Sequence, residues 1–145
     1  MIRQISNKDK ASIASYLVAK TEITFSEATV KASKILKSGL PALILESKDL
    51  QGVCWVENRL IGDKKIKFVE LLVNNWRLAE SFIQVLRWKL NGEYWFSIPK
   101  HDFLNRTYNK NGIRFMKVDG NKNVYCSRFE LRCFYNYKSE DNDAN

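Results

Sequence analysis

The sequence predicts an α/β protein in which helices cover both faces of one mixed β-sheet. Three observations predict this class. An apolar run, a helix-periodic segment and a second apolar run lie within residues 66–113, and they form a β-α-β unit whose two strands should be parallel. A meander of short apolar runs precedes this unit, and a strand-turn-strand pattern follows it. The predicted order is therefore β-α-α-β-β-β-α-β-α-β-β.

The chain begins with one predicted strand and two predicted helices. Residues 1–5 alternate as a strand does, and each helix starts with the spacing of a capping box. The first helix has a shared face, and the second should stop at a glycine that is followed by proline. The capping pairs are Ser6–Asp9 and Thr24–Glu27, the shared face is Ile13, Tyr16, Leu17 and Lys20, and the stop is Gly39 with Pro41.

An antiparallel meander of three strands is predicted next, because short apolar runs alternate with turn residues. The third strand also opens the β-α-β unit, and its density of apolar residues is typical of an interior strand. The predicted strands are 40–46, 52–58 and 66–75, and the turns are 47–49 and 61–63.

The central helix should bury one face, because its apolar residues recur at spacings of three and four. That face is Ala79, Phe82, Ile83, Leu86 and Leu90. We expect the two parallel strands to separate near Val73 and Ser97, since ligands of open α/β sheets bind beyond the carboxyl ends of the strands.

The remaining elements follow from similar patterns. Asn111-Gly112 should end the last helix through a left-handed residue, and Asp119-Gly120-Asn121 should turn a closing hairpin. We expect one domain over residues 1–137 and a disordered acidic tail over 138–145. The predicted ranges are 76–90 and 101–112 for the helices, and 93–100, 113–118 and 124 to about 135 for the strands, the last with a bulge.

Length and composition narrow the class of protein. A chain of 145 residues fits one domain with a single core. No apolar run reaches the roughly 20 residues of a membrane helix, so we expect a protein of the cytoplasm, or of a virion if the chain is phage-encoded. The cysteines Cys54, Cys126 and Cys133 form no C-x-x-C pair, and with a single histidine they predict reduced thiols rather than a metal site.

The net charge of +8 does not indicate a nucleic-acid protein. Residues 1–72 and residues 73–145 each carry 12 basic and 8 acidic side chains. A nucleic-acid interface normally clusters its positive charge along one stretch, and the longest basic run here is Lys64-Lys65. The even distribution therefore argues against that function.

The segment Tyr108-x-Lys110-x-Gly112-Ile113 resembles the Y-x-K-x-G-F ending of the GNAT-fold N-acetyltransferases, with Ile113 replacing the usual Phe. The predicted element order is similar to that family across nearly the whole chain. The resemblance implies transfer of an acetyl group from acetyl-coenzyme A to an amine, on a small molecule or a protein. It also implies a cofactor site at the junction of the central strand and helix.

That junction lacks the glycines that the family carries there as Q/R-x-x-G-x-G/A. The stretch reads Asn74-Asn75-Trp76-Arg77-Leu78-Ala79-Glu80-Ser81, so side chains replace the close backbone approach to a pyrophosphate. Trp76 either fills the cofactor slot or stacks on a ligand base. The resemblance assigns cofactor contacts to Leu72, Val73, Asn74, Arg77, Leu78, Ala79, Ser81 and Tyr108, with a backbone N–H near Val73 or Asn74 facing the carbonyl oxygen.

Three residues are candidates for the chemistry. Tyr108 matches the family's acid, although it could instead belong to the buried face of a short helix. Alternation places Glu70 on a face where desolvation would raise its pKa, so it is a candidate base; a solvated carboxylate or ion-pair partner is the other reading. His101 lies at the expected mouth of the cleft, where a histidine also serves as a cap.

A non-catalytic function is the alternative. In that case the fold persists as a binding or structural module with a closed cleft, for example in a phage virion or at a host partner. Self-association is a further expectation, because a long final strand left at the sheet edge could pair with a second copy.

Overall fold

A computed structural model of the protein describes residues 1–130. Within this range it forms a seven-stranded mixed sheet in the order β1-β2-β3-β4-β5-β7-β6 with four α-helices, which confirms the predicted class and element order. The strands are β1 Ile2–Gln4, β2 Ala42–Glu46, β3 Leu50–Ile61, β4 Lys64–Val73, β5 Gly92–Pro99, β6 Arg114–Asp119 and β7 Lys122–Phe129. The helices are α1 Lys10–Lys20, α2 Phe25–Lys37, α3 Trp76–Lys89 and α4 Leu104–Lys110.

The predicted capping box of Ser6 and Asp9 is present, but it starts a 3-10 turn that precedes the first α-helix. Ser6 and Asp9 close a short 3-10 turn, and α1 begins only at Lys10. The Asp9 carboxylate accepts the Ser6 N–H at 2.8 Å and two guanidinium N–H groups of Arg3 at 2.8 and 2.9 Å. The hydrogen bonds from Arg3 lower the pKa of Asp9 to about 2, so this carboxylate ties β1 to the start of α1 as an anion.

The predicted boundaries of α2 are confirmed. Thr24 Oγ1 accepts the Glu27 N–H at 3.1 Å, and the Glu27 carboxylate turns back to Thr24. The helix ends beside Gly39, whose φ of +72° is the left-handed conformation that glycine adopts without a steric cost.

The β3–β4 hairpin is longer than predicted. Its ladder runs from Gly52–Val73 to Ile61–Lys64, whereas the sequence predicted strands of 52–58 and 66–75. The residues near the tip are exposed, so they show no burial alternation that would mark a strand. The predicted strand 40–46 loses its first two residues, because Pro41 has no N–H for the ladder.

The last elements differ from the predictions in three further ways. The final helix begins at Leu104 rather than at residue 101, because the Asp102 carboxylate accepts the Leu104 N–H at 2.9 Å. The irregular register lies in β6, between Phe115 and Lys117, whereas a bulge is predicted in the final strand, of which the structure describes only the part up to Phe129. That strand starts at Lys122, and its predicted continuation to residue 135, like the predicted tail, lies outside the described residues.

The sheet separates two apolar layers. One layer lies under α1 and α2 and the other under α3 and α4, so alternate residues of β3 and β4 belong to different layers. None of the helices within residues 1–130 is long and apolar enough to cross a membrane. The buried residues of β3 and β4 that face α3 and α4 are Cys54, Val56, Val69, Leu71 and Val73, and those that pack with α1 and α2 include Val53 and Trp55.

Gly52 is a point of close packing between the sheet and Phe82 of α3. A Cβ at this position would lie 2.7 Å from Phe82 Cε2 and 2.9 Å from Val73 Cγ1, both shorter than any ordinary contact. The side chain of residue 52 must therefore be absent for the helix to lie at this distance from β4.

We predict that Gly52→Ala lowers the free energy of unfolding by about 1–3 kcal/mol, because the added methyl group overpacks the core. Urea unfolding of both proteins measures this difference. Adding Phe82→Leu should recover part of the loss by removing the nearest ring atom. Equal stability of Gly52→Ala and the parent protein would show that α3 is free to shift.

Candidate functional site

The two parallel strands separate as predicted. Within the described chain Phe68–Trp95 is the only residue pair between β4 and β5, although β4 continues to Val73 with β3 as its partner. From residue 69 onward β4 therefore has no ladder pair with β5, and the place where the two strands diverge is called the slot below.

The backbone at the end of β4 offers one N–H group to this slot. Asn74 N–H donates to the Gln51 carbonyl oxygen at 3.1 Å, and the Asn74 side chain is held by the Tyr16 hydroxyl at 2.8 Å. In an antiparallel ladder alternate residues direct their N–H groups to opposite sides, so the Val73 N–H points away from β3 and toward the slot. Of the two N–H groups that the resemblance implied, that of Val73 points away from β3 and that of Asn74 is bonded to β3.

Glu70 lies in the stretch of β4 that β5 has left, on the face covered by α1 and α2. Its carboxylate contacts the guanidinium of Arg59, which crosses the Phe68 ring at 4.2 Å to reach it and also contacts Glu57 at 3.2 Å. Burial raises the pKa of Glu70 to about 7, although the Arg59 charge favours the ionised form. Glu70 is therefore both desolvated, as predicted, and an ion-pair partner.

Tyr108 is fully buried on the other face of the sheet. Its ring lies 4.9 Å from that of Phe96 and 5.4 Å from that of Tyr125, measured between centroids. Burial raises the pKa of Tyr108 well above its ordinary value, and the nearby Cys54 and Glu70 groups act in the same direction. The phenol therefore stays protonated at neutral pH, and it also belongs to the core.

Cys54 is the buried thiol closest to these groups. Burial raises the pKa of Cys54, and the Glu70 charge adds to the effect, so the thiol stays neutral. Cys54 and Cys126 are free, and no group of three metal-ligating side chains occurs within residues 1–130. A thiolate nucleophile at Cys54 is thus disfavoured.

The N-terminus of α3 is capped by its own chain. Asn75 Oδ1 accepts the Arg77 N–H at 3.1 Å and the Leu78 N–H at 3.2 Å, and the Asn75 carbonyl accepts the Ala79 N–H at 3.3 Å. These are the backbone donors that a helix offers to an anion. A pyrophosphate here would have to displace the Asn75 side chain.

The other predicted contact residues are spread around this junction. Leu78 is half-buried, Ala79 is buried in the core beneath α3, and Leu72 packs with the layer under α1 and α2. Arg77 and Ser81 are exposed, whereas His101 is exposed in the turn before α4 and not within the helix as expected.

A cleft of about 440 Å³ lies between α3 and α4. Trp76 lines it rather than filling the slot, and its indole is 47% exposed. Lys110 Nζ lies 5.1 Å from the indole centroid and 3.6 Å from the Glu80 carboxylate. The lining residues are Trp76, Glu80, Phe103, Arg106, Thr107 and Lys110.

A second cavity of about 590 Å³ lies on the opposite face of the sheet, between α2 and β3. Trp55 and Glu57 line it, and Trp55 pairs with Glu70 across the β3–β4 ladder. One cavity therefore lies on each face of the sheet, and the cavity between α2 and β3 is on the face that carries Glu70.

Several residues of this site were not predicted from the sequence. The partnership of Arg59 with Glu70 depends on the β3–β4 register, which the exposed hairpin tip does not reveal. Arg106 and Lys110 line the same cleft as Trp76 only because α3 and α4 lie side by side. The Asn75 cap could have been predicted from the sequence, since Asn immediately before a helical pattern is a preferred N-cap.

No protein-family profile matches the sequence, and no curated protein matches it. Solved structures are nevertheless similar in fold. An aminoglycoside 6'-N-acetyltransferase from Enterococcus faecium has a TM-score of 0.73 at 8% identity, over 89% of this chain and 97% of that chain. A GNAT-family acetyltransferase from Bacillus cereus has a TM-score of 0.70 at 13% identity, over 88% and 96%.

YncA from Salmonella typhimurium, solved with its cofactor acetyl-CoA, has a TM-score of 0.65 at 13% identity, over 90% of this chain and 94% of that chain. Identities this low establish the architecture alone. The chain therefore has the fold of the GNAT acetyltransferases, as the resemblance of the sequence implied.

Proposed function

We propose that the protein is an N-acetyltransferase that moves an acetyl group from acetyl-coenzyme A to an amine. One observation carries the proposal: where β4 leaves β5, a desolvated carboxylate and an open backbone N–H lie on the same short stretch of strand. Acetyl transfer to an amine needs a base for the amine and a donor for the carbonyl oxygen, and this stretch offers both.

Three residues of this chain have a proposed role in the reaction. Acetyl-coenzyme A supplies the activated acetyl group when bound. Glu70 would accept a proton from the amine, the Val73 N–H would donate a hydrogen bond to the carbonyl oxygen, and the Tyr108 hydroxyl would donate its proton to the sulfur of the leaving coenzyme A. We expect the acyl-bearing arm to enter where β4 and β5 diverge, whereas Asn75 takes up the usual phosphate donors at the start of α3.

The acceptor is proposed to be a primary amine and to enter by the cavity between α2 and β3. Two observations support this side: the cavity lies on the Glu70 face, and its lining includes Trp55, the cross-strand partner of Glu70. The aminoglycoside acetyltransferases of similar fold act on amine-bearing molecules, as their names state. We expect the reaction to take place in the cytoplasm.

The Asn75 cap favours the alternative of a non-catalytic module, such as a virion component, because the cap occupies the anion donors of α3. The two functions differ in a simple way. A catalytic protein must bind acetyl-coenzyme A, and a module with a closed cleft must not.

We predict that acetyl-coenzyme A stabilises the protein. At a concentration 100 times its dissociation constant it should add about 2.7 kcal/mol to the free energy of unfolding, visible as a rise of several degrees in melting temperature. The same scan with free acetate is the control, because acetate lacks the coenzyme. An unchanged melting temperature at millimolar acetyl-coenzyme A would favour the non-catalytic module.

We predict that Glu70→Gln changes how stability depends on pH. The folded-state pKa of Glu70 is raised from 4.5 to about 7, so its protonated form is favoured by folding. The contribution of protonated Glu70 to the free energy of unfolding is fully present below pH 4.5 and is lost as pH rises through 7. The parent protein should therefore lose about 1–3 kcal/mol relative to the Gln variant over this range.

Urea unfolding at several pH values measures this difference, and Glu93→Gln, an exposed carboxylate on β5, is the control. A pH-independent difference between the parent protein and Glu70→Gln would contradict a raised pKa. In the acetylation assay the same variant should lower kcat/KM by about 100-fold or more, the usual contribution of a positioned base.

We predict that Tyr108→Phe lowers kcat by about 100-fold with little change in KM, because the ring is retained and only the proton donor is lost. Release of the coenzyme A thiol, measured with a panel of primary amines, reports the rate. Phe96→Leu serves as a control for a disturbed aromatic core. Unchanged turnover of Tyr108→Phe would assign Tyr108 to the core alone.

A further inference from the structure

The walls of the α3–α4 cleft carry exposed aromatic side chains and positively charged side chains. Trp76 and Phe103 are 47% and 46% exposed, although both are large and apolar. Arg106 and Lys110 add positive charge to the same walls, and Arg77 lies beside the indole at 5.3 Å. Exposed aromatics next to cations are the components with which proteins bind a base and its phosphates.

The backbone donors beside this cleft are not free. Asn75 accepts the N–H groups of Arg77 and Leu78, and the segment 74–81 has no glycine to let a phosphate approach the backbone. A phosphorylated ligand at this end of α3 must therefore find most of its partners among side chains. Arg106 and Lys110 are the nearest cations on the facing helix.

We propose that this cleft binds the nucleotide end of coenzyme A through side chains, with the adenine stacked on Trp76 and the phosphates paired with Arg106 and Lys110. The proposal rests on the proposed function, since it names how this chain holds the donor of that reaction. The cavity of about 440 Å³ is within the usual size range of ligand pockets.

Lys110 can exchange its contact with Glu80 for one with a phosphate at a small cost in free energy. Its side chain is 63% exposed, and its 3.6 Å contact with Glu80 is a weak surface ion pair. When Lys110 turns to a phosphate, it leaves the indole ring that it now covers, and the base takes its place. Glu80 remains as a carboxylate near the anion, so it opposes binding unless Lys110 neutralises it.

Isothermal titration calorimetry of the full chain tests the proposal with three probes: coenzyme A, adenosine 3',5'-bisphosphate and pantetheine. Trp76→Ala should weaken the first two by about 10-fold or more and leave pantetheine unchanged. Trp88→Ala is the matched control, because Trp88 is also on α3, is 62% exposed and does not line the cleft. Circular dichroism checks that both variants fold.

Two charge variants extend the test. Lys110→Ala should weaken the bisphosphate and reduce the salt dependence of its binding, whereas Glu80→Gln should strengthen it. Coenzyme A that binds Trp76→Ala and Trp88→Ala equally well would overturn this inference and leave the proposed transferase intact. Bisphosphate binding through Trp76 without acetyl transfer to any amine would keep the site and end the proposed function. Binding of neither coenzyme A nor the bisphosphate would overturn both.

Discussion

The antiparallel ladder between β3 and β4 is the interaction on which the rest of the structure depends. It keeps β4 paired as far as Val73, five residues beyond Phe68, where the pairing of β4 with β5 ends. A strand that lost both neighbours would leave its backbone groups to water and would not hold a fixed position. Because β3 satisfies one side of β4, the other side can remain open without loss of order.

The same ladder sets the electrostatics of Glu70. It brings Arg59 over the Phe68 ring to the carboxylate, so the charge has a partner in a desolvated position. Burial favours the neutral carboxyl and Arg59 favours the anion, and burial is the larger of the two effects. The outcome is a group that exchanges its proton near neutrality, which few carboxylates do.

The fold could be predicted from the sequence because the residues that a helix or a strand buries recur at a regular spacing. The amphipathic face of α3, the Thr24–Glu27 cap and the element order all follow from local patterns. The hairpin tip of β3 and β4 was missed because residues exposed on both sides carry no such period. The candidate site was predictable only in part, since Glu70 and Val73 follow from one strand, but Arg59, Arg106 and Lys110 join the site through contacts between distant elements.

The sheet lies between the α3–α4 cleft and the α2–β3 cavity. In the proposed transferase, the donor and the acceptor would therefore approach β4 from opposite faces of the sheet. Because the Cys54 thiol is neutral, it would not carry the acyl group as a covalent intermediate. In the proposed reaction, this arrangement would favour direct transfer of the acetyl group within a ternary complex. Either compound could bind first.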